Sequence, residues 1–157
     1  MALDVETARS IVKAVRADAA CRARIEGTKF SAIIRFAFGG AHLAGGVRNL
    51  AMILRGLGPE HQIFVHLSCV GIAMATQRVI YSEMLAGRLL KVQGSLIRRR
   101  AVSGFEHKGT GVAMKDGSDY VFDWWPTLDL ENPLISTLSQ WVKGGTTVEL
   151  EDFKGLL

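Results

Sequence analysis

The sequence predicts one α+β domain in which helices come first and a small antiparallel sheet follows. Two features of the pattern indicate this. Apolar residues recur at steps of three and four up to Gly87, which is typical of helices, and after Gly94 they fall into short runs typical of strands. The 157 residues, of which 48% are hydrophobic and 22% charged, are enough to bury one core without disulfide or metal support.

The predicted domain has three parts along the chain. Residues 1–60 form a helical N-terminal part, residues 61–130 a core that carries the candidate chemistry, and residues 131–157 an acidic C-terminal segment. No repeat and no low-complexity linker separates these parts, so we expect a single domain over residues 1–157.

The residue pattern of the N-terminal part predicts several helical or apolar segments. Residues 4–24 have the pattern of an amphipathic surface helix, which Gly27 can end. The segments that follow are an apolar stretch over Phe30–Phe38, a loop or tight helix contact over 39–46, and a helix over Val47–Leu57 that Gly58-Pro59 stops.

The middle of the chain predicts a buried helix and then strands. His61–Leu67 is predicted to be extended or irregular, and Ser68 can cap a helix over residues 70 to about 90, which places Cys69 in its first turn. The predicted strands are 95–102, 109–114 and 120–125, and a helix is predicted over Leu134–Val142. Asp116-Gly117 between the second and third strands is a strong hairpin signal.

Basic and acidic residues are unevenly distributed along a chain whose net charge is +4 at pH 7. Residues 61–115 carry eight basic and two acidic side chains, whereas residues 116–157 carry two basic and eight acidic ones. We interpret the densest basic cluster, Arg98-Arg99-Arg100, as a solvated face or as a complement to the acidic segment. No aromatic residues interleave with it, so the sequence does not favour nucleic acid as a partner.

The sequence also bears on the compartment. It has no run of about 18 uninterrupted apolar residues, so we expect no transmembrane segment. Met1–Glu6 lacks the basic and then apolar layout of a secretory signal. Two cysteines, Cys21 and Cys69, are too few for a disulfide scaffold. We therefore expect a protein that is cytoplasmic, or that is exported by a route that does not read a signal peptide.

Three residues stand where a thiol hydrolase would need them. Cys69 at a helix start would meet free backbone N–H groups and the positive end of the helix dipole, which favour a thiolate. His107 precedes the first strand of the Asp116-Gly117 hairpin, and Asp123 lies on the returning strand, so the hairpin can bring imidazole and carboxylate together. Acyl transfer requires a nucleophile, a general base, and a third group, the orienter, that holds the base in position.

Over roughly residues 60–130 the chain resembles the papain-like cysteine hydrolases, and within them the compact bacterial toxin and effector domains that deamidate glutamine. The resemblance rests on the order Ser68-Cys69-Val70-Gly71, Glu106-His107-Lys108-Gly109 and Asp116–Trp125. It implies a central helix on a small antiparallel sheet, a Cys69 thiolate, a His107 base and acid, an Asp123 orienter and a thioester intermediate.

The same resemblance implies a substrate, partners and further site residues. The substrate would be a glutamine side chain on a protein in the target-cell cytosol, with no cofactor, and a cognate immunity protein or host activator is a further expected partner. Gln62 is a candidate oxyanion donor beside the Cys69 backbone N–H, because papain-like enzymes carry a glutamine several residues before the nucleophile. Ser68 is a further candidate there, and Trp124 and Trp125 are candidate walls of the cleft.

Other interpretations remain open at this point. The same three residue types serve peptide cleavage, peptidoglycan amide cleavage and transglutamination. The chain can also be a non-catalytic module that binds a partner through its basic middle, or a toxin that acts on membranes through its amphipathic N-terminal helix. A zinc site is disfavoured, because the His66-x-x-Cys69 spacing is the only tight ligand pair for His61 and His107 to join. Cys21 has no His or acid placed to activate it and is interpreted as structural.

Overall fold

The computed structural model describes the backbone of residues 3–38, 60–102 and 105–144, and the side chains of 3–28, 69–101 and 106–144. Within these ranges the elements are α1 Val5–Ala17, α2 Ala19–Phe38, α3 Glu60–Leu85, β1 Val92–Val102, β2 Phe105–Met114, β3 Asp119–Asp123, β4 Leu134–Thr137 and α4 Leu138–Val142. The α+β class, helices first and sheet later, is confirmed. The predicted loop at 39–46 and helix at 47–57 lie outside the described residues.

The helix predicted over residues 4–24 is two helices that meet at Asp18. Asp18 is extended (φ −80°, ψ 122°), and its carboxylate accepts a hydrogen bond from the Cys21 backbone N–H at 2.9 Å, which caps the start of α2. The same carboxylate pairs with Arg78 of α3 at 2.9 Å. A capping side chain that is also tied to a neighbouring helix favours the break over a continuous helix.

Gly27 does not end α2, which continues to Phe38. One glycine inside a helix costs only about 1 kcal/mol relative to alanine, and apolar residues continue on its C-terminal side. The helix therefore runs through it.

The central helix α3 begins at Glu60, ten residues before the predicted start, and ends at Leu85. His61–Leu67 is helical, so the prediction of an extended segment is wrong, and Ser68 is an interior residue of the helix and not its cap. Apolar residues at helical spacing continue through this segment, and extending one helix adds hydrogen bonds without the cost of nucleating another. None of the helices in the described ranges has the length and apolar character needed to cross a bilayer.

The four strands form one antiparallel sheet in the order β1-β2-β3-β4. The predicted hairpin turn is confirmed: the Met114 backbone N–H bonds the Ser118 carbonyl at 2.8 Å, and Gly117 adopts φ +90°. β2 begins at Phe105, so His107 lies inside the strand. The prediction that His107 precedes the strand is therefore wrong.

The helix predicted over Leu134–Val142 is a strand followed by one short helix. Leu134–Thr137 pairs with β3 as strand β4, because the outer edge of β3 offers hydrogen-bonding groups. Thr137 then starts α4 through a capping box, in which its hydroxyl accepts from the Gln140 backbone and the Gln140 side chain accepts from the Thr137 backbone.

One buried cluster joins the N-terminal helices, α3 and one face of the sheet. Alternate residues of β2 and β3 point towards it, as the two-residue period of a strand requires. Its members include Ile11, Val15, Ile25, Ile72, Ile80, Val112, Met114, Tyr120, Phe122 and Trp124.

A pair of buried threonines connects α3 to β2. The Thr76 hydroxyl bonds the Ile72 carbonyl at 2.8 Å and also the Thr110 hydroxyl, and Thr110 reaches the Ala73 carbonyl at 3.2 Å. Buried hydroxyls must be satisfied in this way, so the Thr76–Thr110 contact fixes how far along the strand the helix lies.

We expect Thr76→Val to lower the free energy of unfolding by about 1–3 kcal/mol, because it removes a buried hydrogen-bonding partner of Thr110. Thr28 of α2 makes the same kind of hydroxyl-to-carbonyl bond, to Arg24 at 2.8 Å, in a partly exposed position. Thr28→Val is the matched control and should change stability by less than about 0.5 kcal/mol. Urea unfolding of both variants measures the difference, and equal losses would contradict the role given to the buried pair.

Candidate functional site

The sheet brings His107 and Asp123 together, as the hairpin predicted. Pairing of β2 with β3 ends at Thr110 and Phe122, and continuing this register sets Asp123 opposite Gly109. His107 and Asp123 are then diagonal neighbours on one sheet face. The His107 imidazole Nε2 lies 2.6 Å from the Asp123 carboxylate Oδ2.

Two tryptophans complete the hydrogen bonding of the Asp123 carboxylate. The Trp141 indole N–H donates to Oδ2 at 2.9 Å, and the Trp125 backbone N–H donates to Oδ1 at 3.2 Å. The rings of Trp125 and Trp141 lie 5.1 and 5.7 Å from the His107 ring, centroid to centroid. The buried carboxylate is therefore satisfied on both oxygens, as a buried charge must be.

Cys69 of α3 is the third member of the site. It is 3% exposed, against 1% for His107 and 2% for Asp123, and it does not belong to the buried apolar cluster. Its side chain interacts with the His107 ring and with the Lys108 backbone. Nε2 of His107 bonds Asp123, so Nδ1 is the ring nitrogen left for the sulfur. Nδ1 is buried and has no hydrogen bond to a nitrogen or oxygen atom.

The contact between sulfur and imidazole shifts both pKa values in the direction of an ion pair. Burial by itself raises the Cys69 pKa, but hydrogen bonds from His107 and the Lys108 backbone, and the charge of the imidazolium, outweigh it and lower the pKa. For His107, burial lowers the pKa, whereas hydrogen bonds to Asp123 and Cys69 and the two negative charges raise it to about 9. A thiolate facing an imidazolium is therefore the favoured state.

The thiolate is not favoured for the reason that the sequence suggested. Because α3 begins at Glu60, the Cys69 amide lies within the helix and is not among the free N–H groups of its first turn. The dipole argument is therefore wrong, and so is the Cys69 backbone N–H as an oxyanion donor. The imidazole and the backbone of Lys108, with a smaller contribution from the backbone of Val70, act on the sulfur instead.

The remaining predicted site residues divide into three groups. Trp125 is half-buried and lies beside His107, whereas Trp124 belongs to the core, where it stacks on Phe122 and its indole N–H bonds the Leu130 carbonyl at 3.0 Å. The prediction that Trp124 walls the cleft is therefore wrong. Gln62 and Ser68 lie on α3, but their side chains are outside the described residues, so their roles stay predictions.

Trp141 was missed by the sequence analysis. It lies in the helix predicted over Leu134–Val142, and no motif marks it. The available signal was chemical: a carboxylate among aromatic residues needs donors, and the indole N–H is a donor that a buried tryptophan must also satisfy.

The basic cluster Arg98-Arg99-Arg100 is largely used within the protein. Arg98 pairs with Asp119 at 3.3 Å, and Arg100 donates to the Trp141 carbonyl at 2.8 Å while lying 4.9 Å above its ring. Arg98 fits the interpretation as a complement to acidic residues, because Asp119 lies among the acidic residues of 116–157, whereas the partner of Arg100 is a backbone carbonyl and not an acid. Arg99 is mostly exposed.

Other chemistry-bearing groups lie apart from this site. Burial and the neighbouring Asp18 raise the Cys21 pKa to about 12, which fits the structural interpretation of that thiol. Among the described side chains, no group of three or more His, Cys, Asp or Glu residues is arranged to hold a metal ion, and the side chains of His61 and His66 lie outside that set. A groove of about 630 Å³ between α1 and α3 shares no lining residue with the site.

Comparison of the chain with models of protein families, with curated proteins and with solved structures found no significant match. The site is therefore interpreted from its own chemistry.

We expect iodoacetamide to alkylate Cys69 faster than Cys21 at pH 6, because thiolate is the reactive species and the two pKa values are shifted in opposite directions. Both thiols are buried, so exposure gives Cys69 little advantage. Peptide mass spectrometry after timed quenching gives both rates in one sample, and His107→Gln should slow only Cys69. Equal rates for the two thiols would contradict the ion pair.

Proposed function

We propose that this protein is a cysteine amidohydrolase of papain-like fold that deamidates a glutamine side chain of a target-cell protein, with Cys69, His107 and Asp123 as its catalytic triad. One observation carries the proposal: the His107 ring is bonded through Nε2 to the Asp123 carboxylate at 2.6 Å, and it contacts a cysteine whose pKa is lowered by that contact. Nucleophile, base and orienter come from α3, β2 and β3, so the fold and not the local sequence assembles them.

In the first half-reaction the Cys69 thiolate attacks the carbonyl carbon of the glutamine carboxamide. The tetrahedral intermediate collapses as His107 gives its Nδ1 proton to the amide nitrogen, and the C–N bond breaks to release ammonia and leave a thioester. Asp123 holds the ring through Nε2 and stabilises the imidazolium before the proton leaves.

In the second half-reaction His107 removes a proton from water, the resulting hydroxide attacks the thioester, and the thiolate leaves. The products are a glutamate side chain and the restored ion pair. For the oxyanion of both tetrahedral intermediates, the Lys108 backbone N–H, which interacts with the sulfur, is the candidate main-chain donor.

The choice of a glutamine side chain over a peptide bond rests on the resemblance of residues 60–130 to papain-like deamidases. The same resemblance motivates the proposal of a bacterial toxin or effector that acts in the cytosol of a target cell. Proteolysis, peptidoglycan amide cleavage and transglutamination use the same first step, so the test has to separate their products.

We expect the protein to add about one dalton to a glutamine of a protein in a target-cell lysate, which is the mass change of amide hydrolysis. Cys69→Ala should abolish this change, and Cys21→Ala, the other buried cysteine, is the matched control that should retain it. Quantitative peptide mass spectrometry with N-terminal labelling gives the result. New N-termini that depend on Cys69 would instead assign a protease, and a mass gain that persists in Cys69→Ala would defeat the assignment.

The two shifted pKa values predict a bell-shaped dependence of kcat/KM on pH. Activity should rise as the thiolate forms, at a pH below the usual cysteine range, and fall above about 9, where His107 loses the proton that the leaving ammonia needs. Asp123→Asn removes the carboxylate that raises the His107 pKa, so its upper limb should move to lower pH. Measured ammonia release that keeps rising beyond pH 10 would contradict this mechanism.

A second candidate function is partner binding without catalysis. Three apolar side chains of α3, Met74, Tyr81 and Leu85, are exposed at spacings that put them on one side of the helix, as at many protein interfaces. This candidate requires a Cys69 that reacts no faster than Cys21, so the alkylation experiment separates the two functions.

A further inference from the structure

We propose that Trp141 is a positioning residue of this site: its indole N–H fixes the Asp123 carboxylate, and through it the His107 tautomer that leaves Nδ1 facing the Cys69 sulfur. The inference rests on the proposed function and extends it to a fourth residue, from an element outside the predicted 61–130 core.

His107 and Trp141 share one carboxylate oxygen of Asp123. Oδ2 of Asp123 lies 2.6 Å from His107 Nε2 and 2.9 Å from the Trp141 indole nitrogen. An indole N–H can only donate, so Oδ2 must act as an acceptor towards Trp141. The indole bond stabilises the ionised carboxylate, whose oxygens only accept, so the hydrogen between Oδ2 and His107 lies on Nε2. The basic lone pair of a neutral imidazole is then on Nδ1, the nitrogen that must take the thiol proton.

Trp141 is itself held in place by β2, by β1 and by its own short helix. Its ring lies against Gly109 of β2, where an added Cβ would come within 2.9 Å of Trp141 Cζ2 and 2.7 Å of Val121 Cγ1. Arg100 of β1 covers the ring at 4.9 Å and donates to the Trp141 carbonyl at 2.8 Å. The capping box of Thr137 and Gln140 fixes the start of the short helix that carries it.

Trp141 uses its indole N–H to bond a residue of the site. The Trp124 indole N–H, equally buried, bonds the Leu130 carbonyl, which is a structural use. The two tryptophans therefore have the same burial and the same hydrogen-bonding need, but only Trp141 meets that need with Asp123. This pair provides a matched comparison within one molecule.

The test compares Trp141→Phe with Trp124→Phe. Both remove one buried indole N–H and leave a similar gap, so both should lower the free energy of unfolding, and the two variants are compared as folded proteins. NMR titration of the imidazole, with His107→Gln used for assignment, should show a His107 pKa shifted from about 9 by about 1 only in Trp141→Phe, because only this variant changes the hydrogen bonding of the carboxylate beside the ring. We also expect it to slow the alkylation of Cys69 at pH 6, and to lower kcat with little change in KM, each about tenfold more than Trp124→Phe does.

A folded Trp141→Phe with the same His107 pKa and the same Cys69 alkylation rate as Trp124→Phe would overturn the inference. If Trp141→Phe does not fold, Gly109→Ala crowds the indole and Val121 without removing either, and it should change the same two quantities; no change in them would equally overturn the inference. The proposed function fails separately, through a wild-type protein that deamidates nothing, because the NMR titration needs no substrate.

Discussion

The buried carboxylate of Asp123 is the constraint around which this end of the sheet is organised. A carboxylate removed from water costs several kcal/mol unless hydrogen bonds replace its hydration. Here the replacements are His107 of β2, the indole of Trp141 on α4, and the backbone of Trp125. Because these donors lie on separate elements, satisfying one charge fixes the relative positions of β2, the end of β3 and α4. The arrangement of the Cys69–His107–Asp123 site and the stability of this end of the sheet thus depend on the same three hydrogen bonds to Asp123.

The position of α3 along β2 decides whether a sulfur meets this network. Cys69 lies seven residues, two helical turns or about 10 Å, before Thr76, and His107 lies three residues, also about 10 Å of strand, before Thr110. Equal distances along helix and strand mean that the hydroxyl contact of Thr76 with Thr110 also sets the level at which Cys69 and the imidazole meet. A helix shifted by one turn would bring another side chain to the ring.

The sequence predicted those features that depend on the types and spacing of neighbouring residues. The turn at Asp116-Gly117 and the three strands followed from residue type and period, and the meeting of His107 with Asp123 followed from the turn. Where tertiary contacts decide, the sequence was insufficient. Strand β4 forms on the outer edge of β3, so it cannot be read from neighbouring residues, whereas the break at Asp18 had a local signal in the Asp18 cap that the helical period of residues 4–24 outweighed. Trp141 contributes through a bond to Asp123, 18 positions away, which no spacing rule contains.

Strand β1 has a strand partner on one side only among the described residues, and it is eleven residues long. Long, flat edge strands are templates for pairing between molecules and so for aggregation. Three consecutive arginines place positive charge on both faces of this strand, because successive side chains alternate, and a second copy approaching edge to edge would bring six guanidinium groups together. The same residues that cover Trp141 and pair with Asp119 would therefore oppose pairing of this strand with a second copy of itself.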